Sequence, residues 1–132
     1  MVSFENAPDP WQTLKGFAPF PLREINGSKQ NPSKPWQDWH GKQGVFMLEV
    51  PGNGPAYIGM TADGKVEAGL SDRLYGLNSP SEPKHRELAD KKNVPVTDCL
   101  VYVIEIKDPE SRKVAKKVGI KHFRPIGNHL RP

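Results

Sequence analysis

Gln43-Gly44-Val45-Phe46-Met47-Leu48-Glu49-Val50 and Ala56-Tyr57-Ile58-Gly59-Met60, joined by Pro51-Gly52-Asn53-Gly54-Pro55, decide the fold. Each flank is short, apolar and rich in β-forming residues, while the joint is dense in turn formers. Two apolar runs across such a joint read as a β-hairpin over about 43–60.

Downstream, Leu70, Leu74 and Leu77 fall at i, i+4 and i+7, one stripe of a helix from Val66 to about Leu77. Asn78-Ser79-Pro80-Ser81-Glu82-Pro83 breaks that helix and opens a second, over about 82–92, which ends in Lys91-Lys92-Asn93 where the dipole favours basic groups. Thr97–Lys107, with Val, Tyr, Ile and Leu throughout, reads as a strand. Asp108-Pro109-Glu110 is a helix start, with Asp as cap, Pro in the first turn and Glu at the positive end of the dipole. That helix is expected to run to about Val118 and to stop at Gly119. The order β-β-α-α-β-α makes the chain α+β, with three strands and three helices over 43–132.

Residues 1–42 read as an arm. Six prolines, from Pro8 to Pro35, forbid a long helix, yet Trp11, Phe17, Phe20, Trp36 and Trp39 are too aromatic for a free tail. An extended segment pinned to the domain by these rings is expected. Asp9-Pro10-Trp11 allows one helical turn capped by Asp9. Trp36 and Trp39, three apart, share one face of a short helix, either packing on the sheet or offering a surface to bases or to a protein partner.

The chain has 132 residues, enough for one domain with a modest core, and its hydrophobic content is 36%. No apolar stretch approaches the length of a membrane span, and the N-terminus lacks the regions of a signal peptide, so no membrane partner and a cytoplasmic location are expected. The single cysteine, Cys99, lies beside an apolar run and reads as a packed thiol. No His, Cys or carboxylate cluster has metal-ligand spacing, and no phosphate-binding glycine loop is present. The net charge is +4. After Glu110 there is no acidic residue, and seven positive charges follow (Arg112, Lys113, Lys116, Lys117, Lys121, Arg124, Arg131), leaving −3 on the preceding residues. A basic end of this kind is either a nucleic-acid footprint or a solvated helix.

The paired strands resemble the GIY-YIG endonuclease family, in which the first strand carries Gly-Ile-Tyr and the second Tyr-Ile-Gly. Here the motifs are Gly44-Val45-Phe46 and Tyr57-Ile58-Gly59. Many members end in Ile-Lys-x-x-x-Pro-x-x-Asn, matched by Ile120, Lys121, Pro125 and Asn128. The family's first-helix arginine corresponds to Arg73, and a histidine near its second helix to His85. The resemblance covers about 43–130. It implies a small antiparallel three-stranded sheet flanked by helices, and a magnesium-dependent hydrolysis of phosphodiesters. It makes Tyr57 the activator of the nucleophile, Arg73 the phosphate clamp, His85 a further catalytic candidate and Asn128 a positioning group.

Two departures alter that picture. Phe46 replaces the first-motif tyrosine. The family's metal-binding glutamate, four residues before Ile120, falls on Lys116, and Glu110 lies roughly 240° away around the helix. A lysine there contacts phosphate as a point charge and cannot ligate a hard cation. The expectation is a nucleic-acid binder, DNA first, that is catalytically degenerate or atypical, with Arg73, Lys116, Lys121 and Arg124 on phosphates. No cofactor is expected, with Mg only if the chain is active. An active endonuclease taking its carboxylate from Glu67 or Glu87 is one alternative. An interaction module using Trp36 and Trp39 is another.

Overall fold

The structure, a computed structural model, describes residues 2–27, 30–62 and 69–128. The hairpin is present as β2 (Gly44–Val50) and β3 (Gly54–Met60), paired antiparallel with Val45 opposite Met60 and Leu48 opposite Tyr57. β2 is buried along its whole length because it is central, with β4 (Leu100–Glu105) antiparallel on its other side. A strand covered on both faces must be apolar throughout, which is why its sequence runs rather than alternates.

The period of two along these strands divides the core. Phe46, Leu48, Tyr57, Val101 and Val103 face one layer, shared with Leu70, Leu74 and Leu77 of α2 (Leu70–Leu77) and with Leu88. Val45, Met47, Ile58 and Tyr102 face the other, shared with Ala115 of α4 (Pro109–Phe123) and with Phe4, Trp11 and Leu14. A register shift after Leu48 turns Ala56 and Tyr57 toward the same layer, as a bulge does.

Among the described residues the sheet has four strands and not the three expected, in the order β1-β4-β2-β3. The extra strand is β1 (Phe20–Pro21), in the arm, with Phe20 opposite Val101 and Pro21 opposite Leu100. Two residues give no readable period, and a proline is tolerated because the strand is an edge and needs no N–H outward. There is also a fourth helix, α1 (Lys34–Trp39), capped by the Ser33 hydroxyl, which accepts from Trp36 N–H at 3.3 Å. The segment after Trp11 is a 3₁₀ turn, Trp11–Leu14, with no side-chain cap, so Asp9 does not play the capping role.

Other boundaries move for physical reasons. The second domain helix is α3 (Pro83–Arg86), continuing through a π turn over Glu87–Lys91. The expected start at Val66 lies outside the described residues. α4 begins as read, with Asp108 accepting from Ser111 N–H at 2.8 Å, but it does not stop at Gly119. It runs to Phe123 and ends at Arg124, whose φ of 51° is left-handed. Gly119 is a contact glycine. A Cβ there would sit 2.6 Å from the Trp11 ring, which is fully buried and donates through Nε1 to the Ala115 carbonyl at 2.8 Å.

Glu49 is the unexpected core residue, at 1% exposure. Its carboxylate accepts from the Tyr102 hydroxyl at 2.8 Å and from Val2 N–H at 2.7 Å, which ties the arm to β2 and meets the need of a buried charge for partners. No described helix is long and apolar enough to cross a membrane.

Candidate functional site

Tyr57 stands on β3 next to Phe46 of β2, with ring centres 6.0 Å apart. Gly59 makes that pairing possible. A Cβ there would lie 2.5 Å from the Phe46 ring and 2.9 Å from the Tyr57 ring. The Tyr-Ile-Gly spacing therefore has a packing reason of its own.

α2 buries its leucine stripe and leaves Arg73 half-exposed beside it. Glu82 joins α2 to α3. One of its oxygens accepts from His85 N–H at 2.9 Å as the α3 cap, and the other lies 3.5 Å from the Arg73 guanidinium. Lys84, two residues on, reaches over the sheet. Its Nζ is 5.2 Å from the centre of the Tyr57 ring and 2.7 Å from a Glu87 oxygen. Lys116 approaches from α4, which packs over β3 and β2. Burial first, then the charges of Lys84 and Arg73, holds its ammonium below the usual lysine range. Lys84 is thus the cation set over Tyr57, with Glu87 as its counter-charge and Arg73 paired to Glu82, while the charges of Lys84 and Arg73 bear on Lys116.

The other sequence candidates are placed differently. Asn128 has both ends of its carboxamide on one backbone unit: Oδ1 accepts from Ile58 N–H at 2.7 Å and Nδ2 donates to the Ile58 carbonyl at 2.9 Å. The His85 ring holds Nδ1 2.6 Å from the Leu77 carbonyl, so its Nδ1–H tautomer bridges α3 to α2. Lys121 and Arg124 are exposed, and Lys121 lies about 140° round the helix from Lys116. Of the sequence candidates, Lys116 lies within reach of the charges of Lys84 and Arg73, Tyr57 lies under Lys84, and Lys121 and Arg124 are on open surface. Sequence reasoning missed Lys84 and Glu82. The signals were present: Glu82 directly before Pro83 is a cap position, and Lys84 and Glu87 are spaced i,i+3. Trp36 and Trp39 are half-buried. Trp36 packs edge-on to Tyr75 at 5.8 Å and Trp39 lies against Phe17 at 6.3 Å.

The described donors do not fit a magnesium ion. No group of three or more His, Cys, Asp or Glu that could hold a metal occurs among the described residues. The two carboxylates at hand are each paired with a cation, and Lys116 adds a third positive charge. Magnesium keeps several waters and takes one or two carboxylates, so what tells against it here is that the carboxylates at hand already serve cations. Glu67 lies outside the described residues.

A hairpin bearing Tyr-Ile-Gly, a third antiparallel strand, two helices over one sheet face and a long basic helix over the other define the GIY-YIG endonuclease fold. The likeness is to a particular structure, the GIY-YIG N-terminal endonuclease domain of UvrC from Thermotoga maritima bound to its catalytic magnesium, with TM-score 0.50 and 20% identity over 74% of this chain and 99% of that one. A tyrosine-to-phenylalanine variant of that domain (TM-score 0.51, 20% identity) and an asparagine-to-alanine variant (0.51, 19%), each bound to a divalent cation, match over the same shares. At this identity the likeness establishes the fold. No protein-family model matches the sequence, and no curated protein matches it.

Proposed function

We propose that this chain binds nucleic acid, DNA in the first instance, through its backbone phosphates, and that it uses a GIY-YIG scaffold without that scaffold's magnesium-dependent hydrolysis. What supports this is Lys84 over the Tyr57 ring, together with the charges of Lys84 and Arg73 bearing on Lys116, the residue that the resemblance aligns with a metal-binding glutamate. Lys116 takes the glutamate's position, Arg73 is the phosphate clamp, and Lys121 and Arg124 extend the contact along exposed α4. Tyr57 lines the phosphate site. Asn128 and His85 hold β3 and α2 in place around it.

Titration of a labelled duplex by fluorescence anisotropy across a salt series tests this. Four phosphate contacts, from Arg73, Lys116, Lys121 and Arg124, give a log–log slope of about −3.6, a loss of about 150-fold between 50 and 200 mM salt. A flat slope, or no binding at low salt, removes the reading. The alternative, an active endonuclease, draws support from Glu82 beside Arg73 and from Glu87 beside Lys84, which overlies the Tyr57 ring. A plasmid assay with magnesium or manganese separates the two. The binding reading expects little or no nicking, and robust nicking abolished by Tyr57→Phe and Arg73→Ala establishes the enzyme.

A further inference from the structure

Glu49 stands apart from the Tyr57 site. Its partner Tyr102 belongs to the core layer shared with α4, whereas Tyr57 belongs to the layer shared with α2. The carboxylate is almost fully buried and holds one donor on each oxygen, the Tyr102 hydroxyl on Oε1 and Val2 N–H on Oε2. Both donors are neutral, and among the described residues no cation pairs with Glu49. Buried carboxylates are as a rule matched by positive charge, because they have given up their hydration. A carboxylate offers about four acceptor sites, so two donors leave each oxygen with a site to give.

The same residue lines a cavity of about 410 Å³, a size that suits a small ligand. Ser3 of the arm and Gly52 of the β2–β3 turn are exposed at its rim, and His122 and Phe123 line it from the end of α4. Three features of this lining favour a cation. Glu49 supplies an unmatched carboxylate. The 15-residue α4 ends at Phe123, so the negative end of its dipole falls here. Phe123 contributes a half-buried aromatic ring, and ring faces attract positive charge. Lys121 and Arg124, which flank these two residues in sequence, are exposed and do not line the cavity. Acceptor sites on both oxygens suit a planar fork of parallel N–H groups, and a ring suits a delocalised cation that stacks. Guanidinium has both properties, and an ammonium has neither.

We propose that this cavity binds a small ligand through a guanidinium group, with Glu49 as the counter-charge and Phe123 as the ring beside it. Tyr102 and Val2 N–H hold the carboxylate in place, which makes the arm part of the site. The site is separate from the Tyr57 site and does not depend on nucleic-acid binding.

The test titrates the whole chain, at constant ionic strength, with three probes: n-butylguanidinium, the neutral isostere n-butylurea, and n-butylammonium, which keeps the charge and lacks the fork. Calorimetry is expected to show one saturable site for butylguanidinium, at least about ten-fold tighter than for either other probe, as charge-assisted hydrogen bonds require. In NMR spectra the backbone amides of Ser3, Gly52, Gly54 and His122 are expected to shift, and those of Arg73 and Leu74 to stay. Glu49→Gln keeps the size of the side chain and an acceptor for Tyr102 while removing the charge. It is expected to weaken butylguanidinium at least about ten-fold and to leave butylurea unchanged. No saturable binding of butylguanidinium overturns the proposal, as does equal affinity for butylurea or butylammonium. Shifts confined to residues outside the cavity, or Glu49→Gln binding equal to wild type, also overturn it. If Glu49→Gln does not fold, the ranking of the three probes and the amide map on the wild type decide.

Discussion

Asn128→Ala isolates what the terminal asparagine does. The segment from Ile126 runs along the outer side of β3: Ile126 N–H donates to Pro55 at 3.4 Å, Gly127 N–H to Ala56 at 2.7 Å, and the Asn128 carboxamide completes the row by holding both backbone groups of Ile58. Gly127 is required in this row, since a Cβ there would meet the Ala56 carbonyl and the Leu88 side chain. Truncating Asn128 removes two hydrogen bonds, each worth about 1 kcal/mol net, and leaves a part-buried N–H and C=O that water repairs incompletely, at up to about 1 kcal/mol more apiece. The expected loss is therefore about 2–4 kcal/mol, or roughly 8 °C or more in Tm for a domain of this size. Urea unfolding followed by circular dichroism is expected to show a lower midpoint at unchanged m-value. Hydrogen exchange is expected to show the Ile58 amide opening faster than its neighbours in β2. A change under about 0.5 kcal/mol with Ile58 exchange unaltered refutes the argument and frees the carboxamide for a ligand.

Gly119→Ala is expected to destabilise by about 1 kcal/mol, because contact with Trp11 (about 1–3 kcal/mol of overpacking) outweighs the gain in helix propensity (about 1 kcal/mol). Thermal melts in a Trp11→Ala background are expected to reverse the sign, and the same sign in both backgrounds would dismiss the contact. Lys116→Glu is expected to create calorimetrically measurable magnesium affinity beside Arg73 and Tyr57. If the heat of titration is unchanged, Lys116 does not hold the glutamate's position. Cys99 is pushed up to about 12 from an ordinary 9.0, first by burial and then by the charges of Asp98 and Glu49. A raised native value favours the protonated fold, so its contribution is complete below pH 9 and fades between 9 and 12. Melting temperatures over that range are expected to fall less steeply in Cys99→Ala than in wild type, and equal slopes would contradict the assignment.

Local signals made the hairpin and the start of α4 legible, since turn formers and an Asp-Pro-Glu cap act over a few residues. The arm's contribution was not legible in the same way. Trp11, Leu22 and Ile25 are core residues, and Phe20–Pro21 is a strand, only because β4 and α4 are there to receive them. Gly119 carries the same glycine signature whether it ends a helix or admits a tryptophan, and only the distant Trp11 decides between these. In the candidate site, Tyr57, Arg73 and Lys116 were singled out by their resemblance to a family's motifs. Lys84 could not be, because its place depends on α3 turning it over a strand more than twenty residues away in sequence. The burial of Glu49 likewise depends on Tyr102 and Val2, which no window around Glu49 contains.

The row of bonds along β3 and the proline in β1 have a consequence for how this chain meets copies of itself. A sheet invites another strand wherever its margin offers free N–H and C=O groups in sequence. On the β3 side, Pro55, Ala56 and Ile58 already have partners within the chain. On the other side the outermost strand, β1, is two residues long and one of them has no N–H to offer, while β4 continues past it from Tyr102 to Glu105. Along β3 and at β1 the templates for strand addition are cut short by side chains and ring geometry. A chain whose central strand is seven buried residues in a row keeps that aggregation-prone segment sealed from its neighbours in this way.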